Sequence, residues 1–325
     1  MSDKRALIFG VSGQDGSLLA KFLASEGYRV HGTSRDAQML SYCNLDHVGV
    51  RDAITLHSAV TTDFRSVLQV LSRVAPDEIY LLAGQSSVGL SFEQPVETLE
   101  SISLGTLNLL EAIRFLGLET RLYNAGSGEC FGELTTPADE ETAFRPRSPY
   151  AVAKSSAHWA VRNYREAYGL FACTGILFNH ESPLRPNRFV TRKVVAAACR
   201  IADGSGEKLR LGDIDIERDW GWAPEYVRAM WLMLQQPTAD DYVIASGRKH
   251  SLRQFVGMAF EALGLDWQAH TVLDASLRRP SDIAHSVGSP IKAERVLGWR
   301  ARTELKDVIS HMIAAERGQP WLMVG

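Results

Sequence analysis

Four residues in the middle of the chain could do acid–base chemistry together. Tyr150 and Lys154 stand four apart in Ser148-Pro149-Tyr150-Ala151-Val152-Ala153-Lys154. That spacing puts both on one face of a helix. Ser148 suits the cap of that helix and Pro149 its first turn. An ammonium beside a phenol favours the tyrosinate, which predicts a pKa below the ordinary value of about 10. The tyrosine would then act as a base near neutral pH. Upstream lie Ser127 and Glu129, in Asn124-Ala125-Gly126-Ser127-Gly128-Glu129-Cys130. If this stretch is extended, both side chains point to the same side. A dehydrogenase needs the hydroxyl and the tyrosine. The carboxylate offers a second acid or base, for a proton on carbon. A loop cap or a partner for an arginine is the other reading of Glu129.

A tyrosine four residues before a lysine is common by chance. Its weight here comes from what precedes it. Gly10-Val11-Ser12-Gly13-Gln14-Asp15-Gly16 has the pattern GxxGxxG and follows an apolar strand-sized run. Glycines so placed allow a tight turn and close approach of backbone to a pyrophosphate. The helix that follows offers free N–H groups and the positive end of its dipole. A glycine-rich loop without a ligand has the same composition, but the strand-then-helix context favours a nucleotide. After the second strand an acidic residue would suit the ribose hydroxyls of NAD. The chain has Ser34-Arg35 there. An arginine beside a hydroxyl suits a 2′-phosphate and points to NADP. Neighbouring Asp36 pulls the other way, and Arg35 as a solvated surface charge is the alternative.

These residues must be held by regular elements, and the pattern supplies them. Short apolar runs at 6–9, 29–33, 54–57, 79–82, 121–125 and 173–178 read as strands. Between them lie stretches of helical period, at 18–23, 106–116 and 149–168. Strands alternating with helices predict an α/β fold with a parallel sheet buried on both faces. After Phe178 the rhythm breaks. Helix-like and strand-like pieces at 190–202, 224–235, 242–245 and 252–263 suit a smaller second lobe. The expected division is 1–178, with returning segments near 220–247, for one lobe, and 179–219 with 248–325 for the other. The last residues, from Trp321 to Gly325, read as a tail.

Composition sets outer bounds. The chain has 325 residues, enough for about two domains at roughly 100–200 residues each. Hydrophobic residues make up 45% and charged residues 22%, so a large core is available and disorder is not expected. The net charge of -3 argues against nucleic acid as the main partner. Four cysteines without CxxC spacing and nine histidines without an HExxH pattern predict neither a disulfide framework nor a metal site. No apolar run approaches about 18 residues, so no membrane partner is expected. The charged start Ser2-Asp3-Lys4-Arg5 does not read as a signal peptide, and a cytoplasmic protein is expected.

Further segments sharpen the reading. They are Arg145-Pro146-Arg147 ahead of Ser148, the run from Gly175 through Phe178-Asn179-His180-Glu181 to Pro183, Phe189-Val190-Thr191-Arg192-Lys193, and Arg218-Asp219-Trp220-Gly221. Together with the glycine turn they resemble the extended short-chain dehydrogenase/reductase superfamily. Within it they resemble the GDP-mannose 4,6-dehydratase family over nearly the whole chain. The resemblance implies a Rossmann-type doubly wound sheet with an interleaved C-terminal substrate lobe. It implies NADP held by Gly10, Ser12, Gly13, Gln14, Asp15, Gly16, Arg35, Leu82, Ala83, Tyr150, Lys154 and His180. It implies a GDP-sugar held by Asn179, Val190, Lys193, Arg218 and Arg279. Tyr150 with Lys154 would deprotonate the 4-hydroxyl, Ser127 would hydrogen-bond the 4-oxygen, and Glu129 would remove the proton on C5. A homodimer or homotetramer joined through helices near 97–116 and 149–168 is implied too.

There are departures from the family pattern. Ser127-Gly128-Glu129 stands where Thr-Ser-Glu is usual, Ala59 where an aspartate often contacts adenine, and Arg35-Asp36 where two arginines are usual. Arg279-Pro280-Ser281-Asp282 carries an acid one methylene shorter than the usual motif. Ser127-Gly128 would make room near C6, which keeps a GDP-mannoheptose open as substrate. A GDP-sugar reductase or 4-epimerase, which would not require Glu129, and a non-enzymatic NADP sensor are the remaining alternatives.

Overall fold

The computed structural model describes residues 4–277 and 279–321. The expectation for the charged start at Ser2-Asp3, and that for the tail beyond Trp321, fall outside these residues. The strands are β1 (Arg5–Phe9), β2 (Arg29–Ser34), β3 (Thr55–Ser58), β4 (Glu78–Leu81), β5 (Arg121–Ala125), β6 (Ala172–Leu177), β7 (Asn179–Glu181), β8 (Leu209–Leu211), β9 (Glu217–Trp222), β10 (Tyr242–Ile244), β11 (Lys249–Ser251), β12 (Thr271–Leu273) and β13 (His285–Ser286). The helices are α1 (Gln14–Ser25), α2 (Cys43–His47), α3 (Phe64–Val74), α4 (Val88–Glu93), α5 (Pro95–Leu99), α6 (Gly105–Leu116), α7 (Pro149–Tyr168), α8 (Val190–Ala202), α9 (Ala223–Leu234), α10 (Leu252–Glu261), α11 (Trp267–His270) and α12 (Leu305–Glu316).

Seven strands form one parallel sheet in the order β10-β6-β5-β4-β1-β2-β3. This is the doubly wound α/β arrangement that the strand–helix alternation predicts. Its strands are apolar on both faces; every residue of β4 and β6 is buried, because helices cover both sides. The order reverses between β1 and β4. In such sheets ligands bind in the crevice at that point, beyond the carboxyl ends of the strands. After β6 the chain leaves the sheet for β7 and comes back as α9 and β10, with β10 beside β6. A four-stranded sheet gathers β7, β11 and β13 around β9. A two-stranded sheet pairs β12 with β8.

Local chemistry explains the elements that matter for the site. Ser148 caps α7 by accepting the Ala151 N–H at 3.1 Å, with Pro149 as the first helical residue. Removing such a cap costs about 1 kcal/mol. The helix expected over 106–116 is longer: α5 runs through a π-helical segment, Glu100–Leu104, into α6 without leaving helical dihedrals. Pro95 starts it because proline tolerates a first turn. Trp321 is not a loose tail residue. It is buried, donates its indole N–H to His47 at 3.2 Å and meets the Trp222 ring edge-on. Among the described residues, no helix is long and apolar enough to cross a membrane.

Candidate active site

The glycine-rich turn lies at the reversal of strand order. Gly10 ends β1 at φ +86°, and a side chain there would strike the backbone N of Ala83 at 2.8 Å. Leu82 and Ala83, which follow β4, therefore press directly against the turn. A Cβ on Gly16 would lie 2.3 Å from the Gly10 carbonyl oxygen, so glycine lets α1 pack onto β1. Gly13 is different: a Cβ there would meet only the Gly10 oxygen, at 3.4 Å. Gly13 is also the N-cap of α1, and no side chain caps that end. Two glycines thus close the turn, and the third leaves a bare backbone facing uncapped N–H groups. These features fit the pyrophosphate of a dinucleotide.

Arg35 is exposed just past the end of β2. Asp36, which had counted against a 2′-phosphate, accepts the Gln38 and Met39 N–H groups at 2.9 and 3.1 Å. It caps its own loop. Ala59, at the position where an aspartate was expected, is buried and donates its N–H to the Ser34 carbonyl at 2.8 Å.

Gln14, Asp15 and His180 form one cluster beside the glycine turn. Their side chains bond to one another. His180 Nε2 lies 3.0 Å from Asp15 Oδ2, and the Gln14 amide donates to Asp15 Oδ1 at 2.9 Å. Ser182 in turn donates to Gln14 Oε1 at 2.8 Å. Ser12 takes part through its backbone, its carbonyl accepting the Asn44 amide at 3.0 Å.

The acid–base group assembles at the end of β5, with one change from expectation. Ser127 is extended, but the chain turns at once into a single 3₁₀ turn, Gly128–Phe131. Ser127 Oγ caps this turn by accepting the Glu129 N–H at 3.2 Å. Ser127 and Glu129 are thus brought together by a cap, not by strand alternation. The same hydroxyl hydrogen-bonds the Tyr150 phenol. Lys154 donates to the Ala125 carbonyl at 2.7 Å, with its nitrogen 5.9 Å from the Tyr150 ring centre.

The electrostatics also correct the sequence reading. Burial pushes the Tyr150 phenol well above its ordinary pKa, and the Ser127 hydrogen bond offsets only part of that. Burial acts on the lysine as well and brings its ammonium down to about 8. Burial likewise raises Glu129 above the usual carboxyl range, with Arg218 and Arg279 pulling it back.

Those two arginines come from the second lobe. Arg218 is buried in β9 and donates to Asp282 at 2.9 Å. Arg279 is exposed and reaches the same carboxylate oxygen at 3.5 Å. The structure therefore joins Arg218 and Arg279 through Asp282, beside Glu129. Asn179 is in register with Trp220 of β9, two residues from Arg218. Val190 and Lys193 lie in the first turn of α8, and the Lys193 ammonium donates to the Arg210 carbonyl of β8 at 2.6 Å. Lys193 is not brought to Asp282.

Three contributors escaped the sequence reading. Asp282 is one; its shortened motif was the signal. Arg185 is another: it donates to the His180 carbonyl at 2.9 Å and pairs with Glu181 at 3.1 Å. Glu181 also accepts the Thr191 hydroxyl at 2.5 Å, so it is a structural acid. The third is Asp219, buried and raised to about 6 by that burial. It accepts the N–H groups of Ser246 and Gly247, each at 2.9 Å, and so holds that loop beside Arg218.

Gly128 packs against the core: a side chain at this position would meet the Phe178 ring at 3.0 Å.

A doubly wound sheet, a bare glycine turn at its reversal point and a Ser–Tyr–Lys group at the next strand end define an extended short-chain dehydrogenase/reductase. The family model described as GDP-mannose 4,6 dehydratase matches residues 7–312. GDP-mannose 4,6 dehydratase 2 of Arabidopsis thaliana is 45% identical, covering 95% of this chain and 86% of its own length. A GDP-mannose 4,6-dehydratase of Vibrio cholerae is 43% identical, covering 95% of this chain and 93% of its own. The solved UDP-glucose 4-epimerase of Thermus thermophilus, in complex with NAD, superposes with a TM-score of 0.85. It is 26% identical and covers 97% of this chain and 99% of its own. The chain belongs to the GDP-mannose 4,6-dehydratase family.

Proposed function

We propose that the chain converts GDP-mannose into GDP-4-keto-6-deoxy-mannose and water, as a hydro-lyase that uses a bound nicotinamide dinucleotide and regenerates it each turnover. The observation that carries this reading is the position of Glu129. It is tied to the Ser127 cap at the sheet edge and faces Arg218 and Arg279 of the second lobe. A reductase or 4-epimerase has no need of that carboxyl.

When bound, a nicotinamide dinucleotide would supply the hydride acceptor for C4 in its oxidised, positively charged form and the hydride donor for C6 in its reduced form. Gly10, Gly13, Gly16 and the uncapped first turn of α1 would hold its pyrophosphate, with Leu82 and Ala83 across the turn. Arg35 favours NADP over NAD, because it is exposed just past the end of β2 while Asp36 caps its own loop.

Tyr150, ionised under the positive charges of Lys154 and of the bound oxidised nicotinamide, would take the proton of the 4-hydroxyl as C4 is oxidised, and Ser127 would steady the 4-oxygen by a hydrogen bond. Lys154, anchored on the Ala125 carbonyl, keeps a positive charge beneath the phenol. The new 4-ketone acidifies the C5 proton, which Glu129 removes. Its raised pKa helps here, because the protonated acid is stable enough to pass a proton to the departing 6-hydroxyl. The hydroxyl leaves as water. With hydride returned at C6, C5 would take a proton from solvent while Tyr150 releases to solvent the one it took from the 4-hydroxyl, which balances the reaction. Arg218 and Arg279 would exchange Asp282 for the substrate diphosphate, a geometry that arginine suits. Asn179, Val190 and Lys193 would complete the GDP-sugar side.

A GDP-mannoheptose is the alternative substrate of the same chemistry. We also propose self-association through α5, α6 and α7, whose exposed apolar residues include Val96, Leu107, Val152 and Trp159. Incubation with GDP-mannose tests the reading. A 4-keto product should accumulate without consumption of added NADP, and no turnover of GDP-mannose would overturn it.

A further inference from the structure

His180 is buried in β7, and both of its ring nitrogens face acceptors. Nδ1 is 2.7 Å from the Phe178 carbonyl oxygen, and Nε2 is 3.0 Å from Asp15 Oδ2. A carbonyl oxygen and an ionised carboxylate can only accept. Neutral imidazole has a single N–H, so it would leave one contact as lone pair against lone pair. Both contacts are satisfied by imidazolium alone.

The surroundings agree. Burial by itself would raise the Asp15 carboxyl, but the charge and hydrogen bond of His180 outweigh it and hold it below the ordinary value. Burial by itself would lower His180, but Asp15 outweighs that and raises it. Arg185, donating to the His180 carbonyl, opposes the imidazolium and is itself paired with Glu181. The Tyr226 ring of α9 stacks on His180 with centres 4.5 Å apart. Lys154 of α7 also feels Asp15, which favours its ammonium.

Asp15 occupies the first turn of α1. A carboxylate there suits the helix dipole but repels a phosphate bound at the same turn. We propose that His180 is a charge-balancing, positioning residue: its imidazolium neutralises Asp15, so that a glycine turn carrying a carboxylate can hold an anionic dinucleotide. His180 then acts through Asp15 and not by touching the cofactor. The effect on cofactor retention rests on the dinucleotide assignment above; the protonation state of the ring does not.

The sign with pH follows from the raised pKa. The pair is complete below the ordinary histidine value of about 6.5. It is lost as pH rises through the raised value.

Ring-nitrogen NMR of the histidine-labelled protein tests the first half. The resonance absent from His180→Gln should report two protonated nitrogens at neutral pH, and a neutral ring in Asp15→Asn. Release of NADPH from the loaded protein, followed by its fluorescence, tests the second half. His180→Gln leaves Asp15 uncompensated and should release NADPH on the order of tenfold faster. Asp15→Asn/His180→Gln should recover most of that loss, because the repelling charge is gone. If His180→Gln does not fold, wild-type release against pH carries the same test. It should rise as His180 deprotonates, and Asp15→Asn should flatten the rise. A neutral wild-type ring at neutral pH overturns the proposal. So does a double variant no better than His180→Gln, or a flat wild-type profile. A protein that never retains NADPH contradicts the cofactor assignment instead, and the ring spectrum still decides the protonation state.

Discussion

The end of β5 and the face of β9 treat charge in opposite ways. At β5, burial dominates: it raises Tyr150 and Glu129 and brings Lys154 down to about 8. Each group is pushed towards its neutral form, which moves Glu129 and Lys154 towards working pH and leaves Tyr150 dependent on nearby positive charge for its ionisation. At β9, Arg218 is as buried as Tyr150, yet its charge is met by Asp282 at 2.9 Å. In the proposed reaction that pair would trade partners, not protons. The contrast separates chemistry from binding within one cleft.

Removing a proton carrier should therefore affect turnover most. Tyr150→Phe should lower kcat by about 10³-fold or more, read as 4-keto product from GDP-mannose. Glu129→Gln should lower it by about 10²-fold. It should also abolish exchange of the C5 proton with deuterated solvent while C4 oxidation persists in a single turnover. Wild-type rate should fall on the acid side at a pH above the ordinary Glu value of about 4.3. The reason is that Glu129 must be ionised to act as base and its pKa is raised. Equal falls in kcat and KM-linked binding for Glu129→Gln would blur the contrast.

Variants of the paired region should act on binding. Arg218→Met should raise KM for GDP-mannose by roughly tenfold, with kcat changed less, as expected for one lost charge-assisted contact of about 1.5–3 kcal/mol. Arg35→Ser should weaken NADP by a smaller factor and leave NAD unaffected, measured by competition. The smallest effect is expected at Gly128→Ala. Its methyl would press on Phe178, costing about 1 kcal/mol as a lowered Tm. The preference between GDP-mannose and a GDP-mannoheptose should stay the same.

The two regions also differ in how far the sequence announces them. β1 with α1, and β5 with α7, are contiguous units, so residue type and spacing sufficed to nominate their side chains. What spacing could not supply was direction. Lys154 points at the Ala125 carbonyl, and the chain leaves β5 before Ser127, so neither the anchor of the lysine nor the cap that joins Ser127 to Glu129 could be read from spacing. The second region is built from β7, β11 and β13, strands of two or three residues that are too short to show alternation. Its central pair joins Arg218 to Asp282, 64 positions away. No local pattern encodes such a contact. Resemblance found Arg218 and Arg279, and only the folded chain shows the carboxylate between them.

The central claim is that one bound cofactor carries hydride from C4 to C6 within a single turnover. The direct measurement uses GDP-mannose with deuterium at C4, incubated with the purified protein and no added NADP. Mass and NMR spectra should show the deuterium on C6 of the 4-keto-6-deoxy product. 4-Keto-6-deoxy product without deuterium on C6, the label having passed to solvent instead, would contradict the account.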